Sequence, residues 1–322
     1  MKPFIVLVLF ALVAVGRAQS PFTPAELLGQ TFIHDPSSIV KVAGRYYVYG
    51  TRPGILTKSS PDLVLWSNEP AVFSQPPPWT LKVAPGFDGH FWAPDVIRVQ
   101  GRYLLYYSVS AWGKQTSALG LAVNATLDTA ATNFLWQDLG EVIRSTNGSA
   151  FNTIDPSAFL DRDGKLWLAF GSYWKGIFLT ELDPQTGKRR HPDAPPQQLA
   201  WNHSIEAACL TRHDKFYYLF VNWGQCCQGT NSTYEVRMGR AEKITGPYRD
   251  REGNDLATGG GSPFLATTGR FFGPGHIGIL DDGGTNGVTQ FSYHYYDAET
   301  RGRSRLAIGK MDWTGGWPVA VR

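Results

Sequence analysis

Short runs of aromatic and β-branched residues recur along the chain, and each follows a turn-forming residue. The turn residues that open these runs are Gly44, Gly101, Gly164, Asp214 and Gly287. Runs of this kind after a turn are typical of the second strand of a β-hairpin. Their starts lie 50 to 73 residues apart, so the chain repeats a unit that is long enough for about four strands.

The size and number of these units predict the fold. A repeating β unit of about four strands is typical of a propeller blade. Long amphipathic helical patterns are absent from the sequence, and Gly, Pro and aromatic residues are abundant. We therefore predict an all-β, five-bladed β-propeller that forms a single domain over residues 19–322.

The first residues have the pattern of a secretory signal. Lys2 precedes an apolar run over residues 4–15, and Gly16-Arg17-Ala18 forms a small-residue cleavage site. We expect residues 1–18 to be removed and the protein to be secreted as a monomer. Four Asn-X-Ser/Thr sequons fit secretion and are candidate glycosylation sites: Asn124, Asn147, Asn202 and Asn231.

Charge and later apolar patterning exclude two kinds of partner. The formal net charge of the full chain is only +3, and removal of residues 1–18 would bring it nearer to zero. Binding to nucleic acid or to an anionic membrane surface therefore has no electrostatic support. No later stretch is long and apolar enough for a membrane span.

The three cysteines leave two interpretations open. Cys226 and Cys227 are neighbours, and Cys209 is separate. Neighbouring Cα atoms lie about 3.8 Å apart, below the usual disulfide range, so a Cys226–Cys227 bridge would be strained. The sequence therefore allows either three free thiols or a strained disulfide, and it favours neither. The spacing of the cysteines matches no zinc-binding pattern.

Acidic residues recur at the predicted start of the inner strand in several repeats. Asp35 and Asp155 each lie nine residues before their turn glycine, Glu206 lies eight residues before Asp214, and His276 lies eleven before Gly287. Equivalent positions of equivalent blades meet around one axis, so we expect these side chains to converge. Turn capping is the alternative for any one Asp, but three acids in one register favour a site.

The second repeat departs from this pattern. Trp92 holds the place nine residues before Gly101, and Asp95 follows three residues later. Elsewhere, strand alternation should turn His34 away from the face that Asp35 uses, which predicts a structural role for His34.

Converging carboxylates favour general acid/base chemistry. The sequence has no Gly-X-Ser-X-Gly, His-Glu-X-X-His or P-loop motif. Glycoside hydrolysis needs a carboxylic acid that protonates the leaving oxygen and a carboxylate that activates water or attacks the sugar. Trp92, Trp112 and Trp174 fall near the inner-strand positions, and flat rings of this kind stack on sugar faces.

Six ordered stretches together carry a resemblance to a known family. They are His34-Asp35-Pro36-Ser37, Phe91-Trp92-Ala93-Pro94-Asp95, Ile154-Asp155-Pro156-Ser157, Gly171-Ser172-Tyr173-Trp174, the segment 226–234 and Pro274-Gly275-His276. This set resembles glycoside hydrolase family 43 and, within it, secreted fungal endo-1,5-α-L-arabinanases. The likeness extends over nearly all of residues 19–322.

The resemblance implies a five-bladed propeller that hydrolyses arabinan with inversion and needs no cofactor for the chemistry. It implies that Asp35 is the general base, Glu206 the general acid, and Asp155 the group that tunes and orients that acid. His276 would hold an axial ion, calcium or another, with a buried structural histidine as the alternative. The residues implied to bind substrate are Trp112, Asn152, Ser172 and Trp174, beside Trp92 from the pattern above.

Three functions remain open at this stage. The favoured one is endo-acting hydrolysis of linear α-1,5-arabinan in pectin. An exo-acting arabinofuranosidase or β-xylosidase of the same fold would use the same acids in a blocked funnel. A propeller lectin would bind sugars without cleaving them, but it would not need three acids and would be expected to repeat its sites.

Overall fold

The computed structural model describes residues 22–281 and 289–322. The predicted signal segment, residues 1–18, lies outside this range. Among the described residues there is no α-helix, and none of the helices is long and apolar enough to cross a membrane. The helices are four single turns of 3₁₀ type: Thr80–Lys82, Gly229–Asn231, Leu256–Thr258 and Ala298–Thr300.

The described residues form 22 β-strands. In the first half of the chain they are β1 (Leu28–Gly29), β2 (Ile39–Val42), β3 (Arg45–Gly50), β4 (Arg52–Pro53), β5 (Leu56–Ser60), β6 (Leu65–Glu69), β7 (His90–Val99), β8 (Arg102–Val109), β9 (Ser117–Asn124), β10 (Gln137–Ser145) and β11 (Ser157–Leu160). In the second half they are β12 (Leu166–Phe170), β13 (Ile177–Leu182), β14 (Gln197–Ala200), β15 (Ile205–His213), β16 (Phe216–Trp223), β17 (Glu235–Ala241), β18 (Ser262–Leu265), β19 (Phe271–Asp281), β20 (Thr289–Asp297), β21 (Arg303–Asp312) and β22 (Val319–Val321).

Hydrogen bonding joins these strands into four sheets. Three follow the chain closely, with the orders β10-β9-β8-β7-β4, β11-β12-β13-β14 and β15-β16-β17-β18. The nine-stranded fourth sheet has the order β1-β6-β5-β3-β2-β19-β20-β21-β22. Its two parts meet where β2 and β19 pair in parallel, with Ile39 opposite Leu280, so the first and last strands of the described chain belong to one sheet.

The predicted hairpin runs are strands. Four of the five begin one or two residues after their predicted turn residues, as β3, β8, β12 and β16, and the fifth forms β20. Gly44, Gly101 and Gly164 have φ values of about +80°, a conformation that glycine adopts without the strain of a Cβ atom. The turn residue Gly287 lies outside the described residues.

Neighbouring sheets pack face to face through the apolar sides of these strands. Between the second and third repeats, for example, Leu104 and Tyr106 lie in one buried cluster with Leu168 and Phe170. All four side chains are fully buried, and burial of one such side chain is worth about 1.5–3 kcal/mol. The polar groups of the inner strand ends therefore sit on a rigid support.

Candidate active site

Five residues with left-handed backbone conformation lie in or just before the first strand of each repeat. They are Asp35 (φ 48°), Ala93 (φ 38°), Asp155 (φ 58°), Ala207 (φ 54°) and His276 (φ 57°). This conformation costs a non-glycine residue free energy and persists only where the surroundings fix it. Other left-handed residues occur in turns, but these five lie one to a repeat near the inner edge of its first strand, so we assign them the same structural position.

Side chains of neighbouring strands fix these five positions. The backbone N–H of Asp35 donates to Nδ1 of His294 (3.2 Å), and that of Asp155 donates to Oγ of Ser108 (3.0 Å). The N–H of His276 donates to Oδ1 of Asn222 (2.9 Å). The other two backbone N–H groups also donate to side chains: that of Ala93 to Oγ1 of Thr51 (2.8 Å) and that of Ala207 to Oδ2 of Asp155 (3.1 Å).

The left-handed residues align the repeats differently from the residue counts before each turn that were used in the sequence analysis. Ala207, not Glu206, holds the position of Asp35 and Asp155, and Ala93, not Trp92, holds it in the second repeat. Turn lengths and β-bulges differ between repeats, with one bulge just after Glu206 and another just after Trp92. The three acids therefore come from two adjacent registers.

Asp35 is surrounded by groups that favour its ionised form. Its Oδ2 lies 2.8 Å from Nδ1 of His34 and accepts a 2.5 Å hydrogen bond from Oγ1 of Thr51. Its Oδ1 lies 3.6 Å from Nδ1 of His276 and 3.7 Å from Nδ1 of His294. Burial alone would raise the pKa of Asp35, but the charge and hydrogen bond of His34 outweigh it, so the pKa lies well below the usual value.

The prediction that His34 points away from Asp35 is wrong. Strict alternation applies to extended backbone, and the left-handed φ of Asp35 interrupts it. His34 Nε2 also lies 2.7 Å from the hydroxyl of Tyr296. Burial lowers the pKa of His34, yet the neighbouring Asp35 carboxylate more than offsets this, so the pKa is raised and the pair is held as an ion pair.

Glu206 lies in an environment that favours its protonated form. The side chain is buried, at 8% exposure. Oγ of Ser172 donates to its Oε2 (2.7 Å), and the hydroxyl of Tyr234 donates to its Oε1. Burial raises the pKa of Glu206 to about 7, since the opposing hydrogen bond from Ser172 is the weaker influence; the charge of Asp35 adds to the rise.

Asp155 is a second buried carboxyl in the same cluster. Burial raises its pKa well above the usual value, and the charges of Glu206 and then of Asp35 raise it further. Its Oδ2 accepts from the backbone of Ala207, the residue after Glu206. Because two neighbouring buried carboxyls both resist ionisation, this pair retains a proton under conditions in which Asp35 is ionised.

His276 is buried, and burial lowers the pKa of its imidazole. A neutral imidazole can offer a nitrogen lone pair to an ion. In nearby His294, Nδ1 accepts a hydrogen bond from the backbone N–H of Asp35, so the proton of the neutral ring is on Nε2. Nε2 of His294 is buried and has no hydrogen-bond partner among the described residues. A neutral histidine beside an unpartnered donor fits the predicted cluster of ion and water.

The predicted substrate-binding residues fall into two groups. Trp112 is 75% exposed and Trp174 is 42% exposed, and the rings of Trp92 and Trp112 meet edge to face with centroids 6.4 Å apart. Asn152 and Ser172 are buried instead. Oδ1 of Asn152 accepts from Ser117 (2.7 Å), while Ser172 contacts Glu206. Trp112 and Trp174 therefore present a broad face to solvent, and Trp92 is half-buried.

Four residues of this cluster were not predicted from the sequence: Thr51, Tyr234, His294 and Tyr296. Tyr234 ends the segment 226–234 that carried the resemblance, so a signal for it was present. Thr51 directly follows β3 and His294 lies within β20. The sequence around each has an ordinary strand pattern, which does not indicate a functional residue.

The cysteines adopt the bridged alternative. Cys226 and Cys227 form a disulfide, and Cys209 is a free, buried cysteine. The backbone N–H of Cys227 donates to the hydroxyl of Tyr296 (2.7 Å), the same hydroxyl that contacts His34. The disulfide thus lies beside the ion pair of His34 and Asp35.

Burial argues against one of the four predicted glycosylation sites. Asn124 is buried, and its Oδ1 accepts from the backbone of Thr126 and Leu135. A glycan needs an exposed asparagine amide. Asn147 and Asn231 are exposed and Asn202 is half-buried, so these three remain candidates.

Asp35, whose pKa is held low, and Glu206, whose pKa is raised to about 7, lie in one cluster. Such a pair has the properties of the base and acid of a glycoside hydrolase. Comparison with known proteins agrees with this class. The chain belongs to glycosyl hydrolases family 43, whose model matches residues 28–318.

Relatives and solved structures cover most of the chain. The extracellular endo-α-(1→5)-L-arabinanase 1 of Bacillus subtilis is 36% identical over 320 residues, covering 96% of this chain and 95% of the relative. The extracellular exo-α-(1→5)-L-arabinofuranosidase ArbA of Cellvibrio japonicus is 37% identical over 303 residues, with 90% and 86% covered. The probable arabinan endo-1,5-α-L-arabinosidase A of the fungus Aspergillus clavatus also matches, at 33% identity over 320 residues, covering 94% of this chain and 95% of the relative. Relatives thus include bacterial and fungal enzymes, and a fungal origin of this chain is not confirmed.

A solved structure also matches closely. The α-L-arabinanase of Cellvibrio cellulosa in complex with arabinohexaose superposes with a TM-score of 0.85 at 36% identity, covering 91% of this chain and 96% of that chain. The all-β fold described above is therefore the fold of a family 43 arabinanase.

Proposed function

We propose that this protein hydrolyses internal α-1,5-L-arabinofuranosidic bonds of linear arabinan in pectin, with inversion at the anomeric carbon. The observation that carries the proposal is the contrast between Asp35, whose pKa is held low, and Glu206, whose pKa is raised to about 7. Two carboxyls whose environments separate their pKa values can serve as base and acid at one pH. The similarity to arabinanases supplies the substrate class.

In this mechanism Asp35 takes a proton from the attacking water and Glu206 gives a proton to the leaving oxygen. Thr51 and His34 orient the Asp35 carboxylate. Ser172 and Tyr234 hold the two oxygens of Glu206, and Asp155 restrains its ionisation. Water, two carboxyls and the sugar complete the reaction, so no cofactor takes part.

The sugar chain would lie against tryptophan rings. Trp92, Trp112 and Trp174 are proposed to stack on arabinofuranose units on either side of the cleaved bond. Ser172 and Asn152 are proposed to act from within the wall of the site, because one holds Glu206 and the other is bonded to Ser117.

His276 is proposed to hold a structural ion, with the unpartnered Nε2 of His294 available to an associated water. Such an ion would balance the carboxylates around the axis and would not enter the reaction. Its identity as calcium or another cation follows only from the resemblance of the sequence to its family.

The five-bladed propeller is likewise a proposal. If the nine-stranded sheet is divided at the parallel pairing of β2 with β19, the strands form five groups of four or five. This division, and the equivalent placement of Asp35, Ala93, Asp155, Ala207 and His276, one in each group, support five blades in a single domain over residues 19–322. We also propose that the protein is a secreted monomer with glycans at Asn147, Asn202 and Asn231.

Digestion of debranched and branched arabinan, with product sizing over time, tests the proposed function. We expect debranched arabinan to be cut first into a mixture of oligomers. Release of arabinose alone would identify the exo-acting alternative, and cleavage of xylan-derived substrates instead would identify a β-xylosidase. Binding without any product, in a preparation shown to be folded, would support a lectin. The Asp35→Asn variant controls for contaminating hydrolases.

A further inference from the structure

Asp95 is a buried carboxylate that the mechanism above does not use. It lies on β7, two residues after the left-handed Ala93, and is 5% exposed. Its Oδ1 accepts a hydrogen bond from the backbone N–H of Ser38 (2.9 Å), and its Oδ2 accepts one from the backbone N–H of Ala158 (2.8 Å). One side chain therefore joins the two strands on either side of its own.

The two N–H groups occupy the same place relative to the two aspartates. Ser38 lies three residues after Asp35, and Ala158 lies three residues after Asp155. Both aspartates are followed by a proline, Pro36 or Pro156, whose ring fixes φ and stiffens the short connection. A displacement at Ser38 or Ala158 is thus carried to the neighbouring carboxyl group.

The other four repeats have no carboxylate at the position equivalent to Asp95. Two residues after the left-handed residue they carry Ser37, Ser157, Cys209 and Gly278. Ser157, for example, uses its single hydroxyl to accept from the backbone of Leu210 (3.2 Å). A buried carboxylate is costly, and burial raises the pKa of Asp95 to about 6 although both N–H groups oppose the rise. Packing alone gives no reason for this cost.

We infer that Asp95 is a positioning residue, which sets the placement of Asp35 relative to Asp155 through its two backbone hydrogen bonds. This inference rests on the proposed function, since it assigns Asp35 and Asp155 to one reaction. Asp155 in turn holds Ala207, beside Glu206. Asp95 therefore sets the geometry of all three acids without contacting any of them.

The test compares Asp95→Asn with Asp161→Asn. An asparagine at position 95 can accept only one of the two backbone hydrogen bonds, because its NH₂ group faces the other backbone N–H. Either the segment of Ser38 or that of Ala158 therefore loses its bond to residue 95. Asp161 is also a buried aspartate, at 9% exposure against 5% for Asp95, and it directly follows β11, where its carboxylate accepts hydrogen bonds from Arg212 and Tyr217. Both variants should lower the melting temperature, but only the first should alter catalysis.

We expect kcat of Asp95→Asn on debranched arabinan to fall about tenfold to a hundredfold, since small misplacements of catalytic groups have effects of this size. KM should change little, because the tryptophans are untouched. The alkaline limb of the pH profile should move to lower pH, as Asp155 is less well placed to oppose ionisation of Glu206. The titratable neighbours of Asp95, Cys209 and Tyr106, both have pKa values raised by burial and stay neutral there.

An unchanged kcat and pH profile, with a melting temperature lowered as in Asp161→Asn, would overturn the inference and leave Asp95 a structural residue. If Asp95→Asn does not fold, Asp95→Ser, which copies Ser157, is judged by the same two criteria. A wild-type protein that is inactive on arabinan would instead contradict the proposed function, so the two failures are distinguishable.

Discussion

The carboxylate of Asp155 accepts a hydrogen bond from the backbone of Ala207, with 3.1 Å between Oδ2 and N. Ala207 follows Glu206 directly, so this bond ties the proposed modulator to the strand that carries the proposed acid. The same bond fixes the left-handed conformation of Ala207. Asp155 therefore fixes the backbone directly after Glu206, and the charge of Glu206 in turn helps to raise the pKa of Asp155.

Asp155→Asn should lower both the rate and the pKa of the proposed acid. In a coupled pair of carboxyls the upper pKa belongs to the pair, and replacing one partner by a neutral group lowers it. Because Glu206 must be protonated to act, the alkaline limb of the pH profile of kcat/KM, expected near pH 7 from the raised pKa of Glu206, should move to lower pH. A lower rate with an unmoved alkaline limb would limit Asp155 to orienting Glu206.

Ser172→Ala should move the same limb in the opposite direction. The hydroxyl of Ser172 donates to Glu206 and stabilises its ionised form, so its removal should raise the pKa of Glu206 and extend activity to higher pH. Ser59→Ala is a matched control, because Ser59 donates to Glu69 in the same way away from the site. The assignment fails if the limb of Ser172→Ala coincides with that of the control.

The two proposed catalytic carboxyls should respond differently to the leaving group. Asp35→Ala should abolish hydrolysis of every arabinofuranoside, since no base remains to activate water. Glu206→Ala should lose about a hundredfold or more on arabinan, but retain much of its rate on aryl arabinofuranosides whose leaving group needs no proton. Kinetics on both substrates check this, and equal losses on both would reject Glu206 as the acid.

Trp112→Ala should weaken binding of the polymer. Loss of a stacked ring is worth on the order of 1–2 kcal/mol, so KM on debranched arabinan should rise about fivefold to thirtyfold while kcat changes less. Leu135→Ala controls for the loss of a similarly exposed apolar side chain, since Leu135 is 74% exposed and Trp112 75%. Unchanged polymer kinetics in Trp112→Ala would remove Trp112 from the binding surface.

The positions of the strands and of the candidate catalytic carboxyl residues could be predicted, because each is marked by a local sequence pattern. A turn residue followed by an aromatic run gave β3 and β8 directly, and Asp35 and Asp155 stand out beside their prolines. The register of Glu206 could not be predicted, because a β-bulge depends on pairing with β16. The contact of His34 with Asp35 depends on a left-handed φ that His294 stabilises from 259 residues away.

The disulfide and the buried sequon show the same limit. Nothing local distinguishes Cys226–Cys227 as a bridge from a pair of thiols, and tertiary packing decides it. Asn124 has the same tripeptide pattern as Asn147, yet its strand places it inside the molecule.

The anomeric configuration of the first product tests the central claim most directly, because that claim is a single displacement in which Asp35 activates water and Glu206 protonates the leaving oxygen. Proton NMR of debranched arabinan, recorded within the first turnovers and before mutarotation, separates the two anomers. The account predicts that the inverted, β-configured reducing end appears first. A first product that retains the α configuration would contradict it and would require a covalent intermediate formed by double displacement.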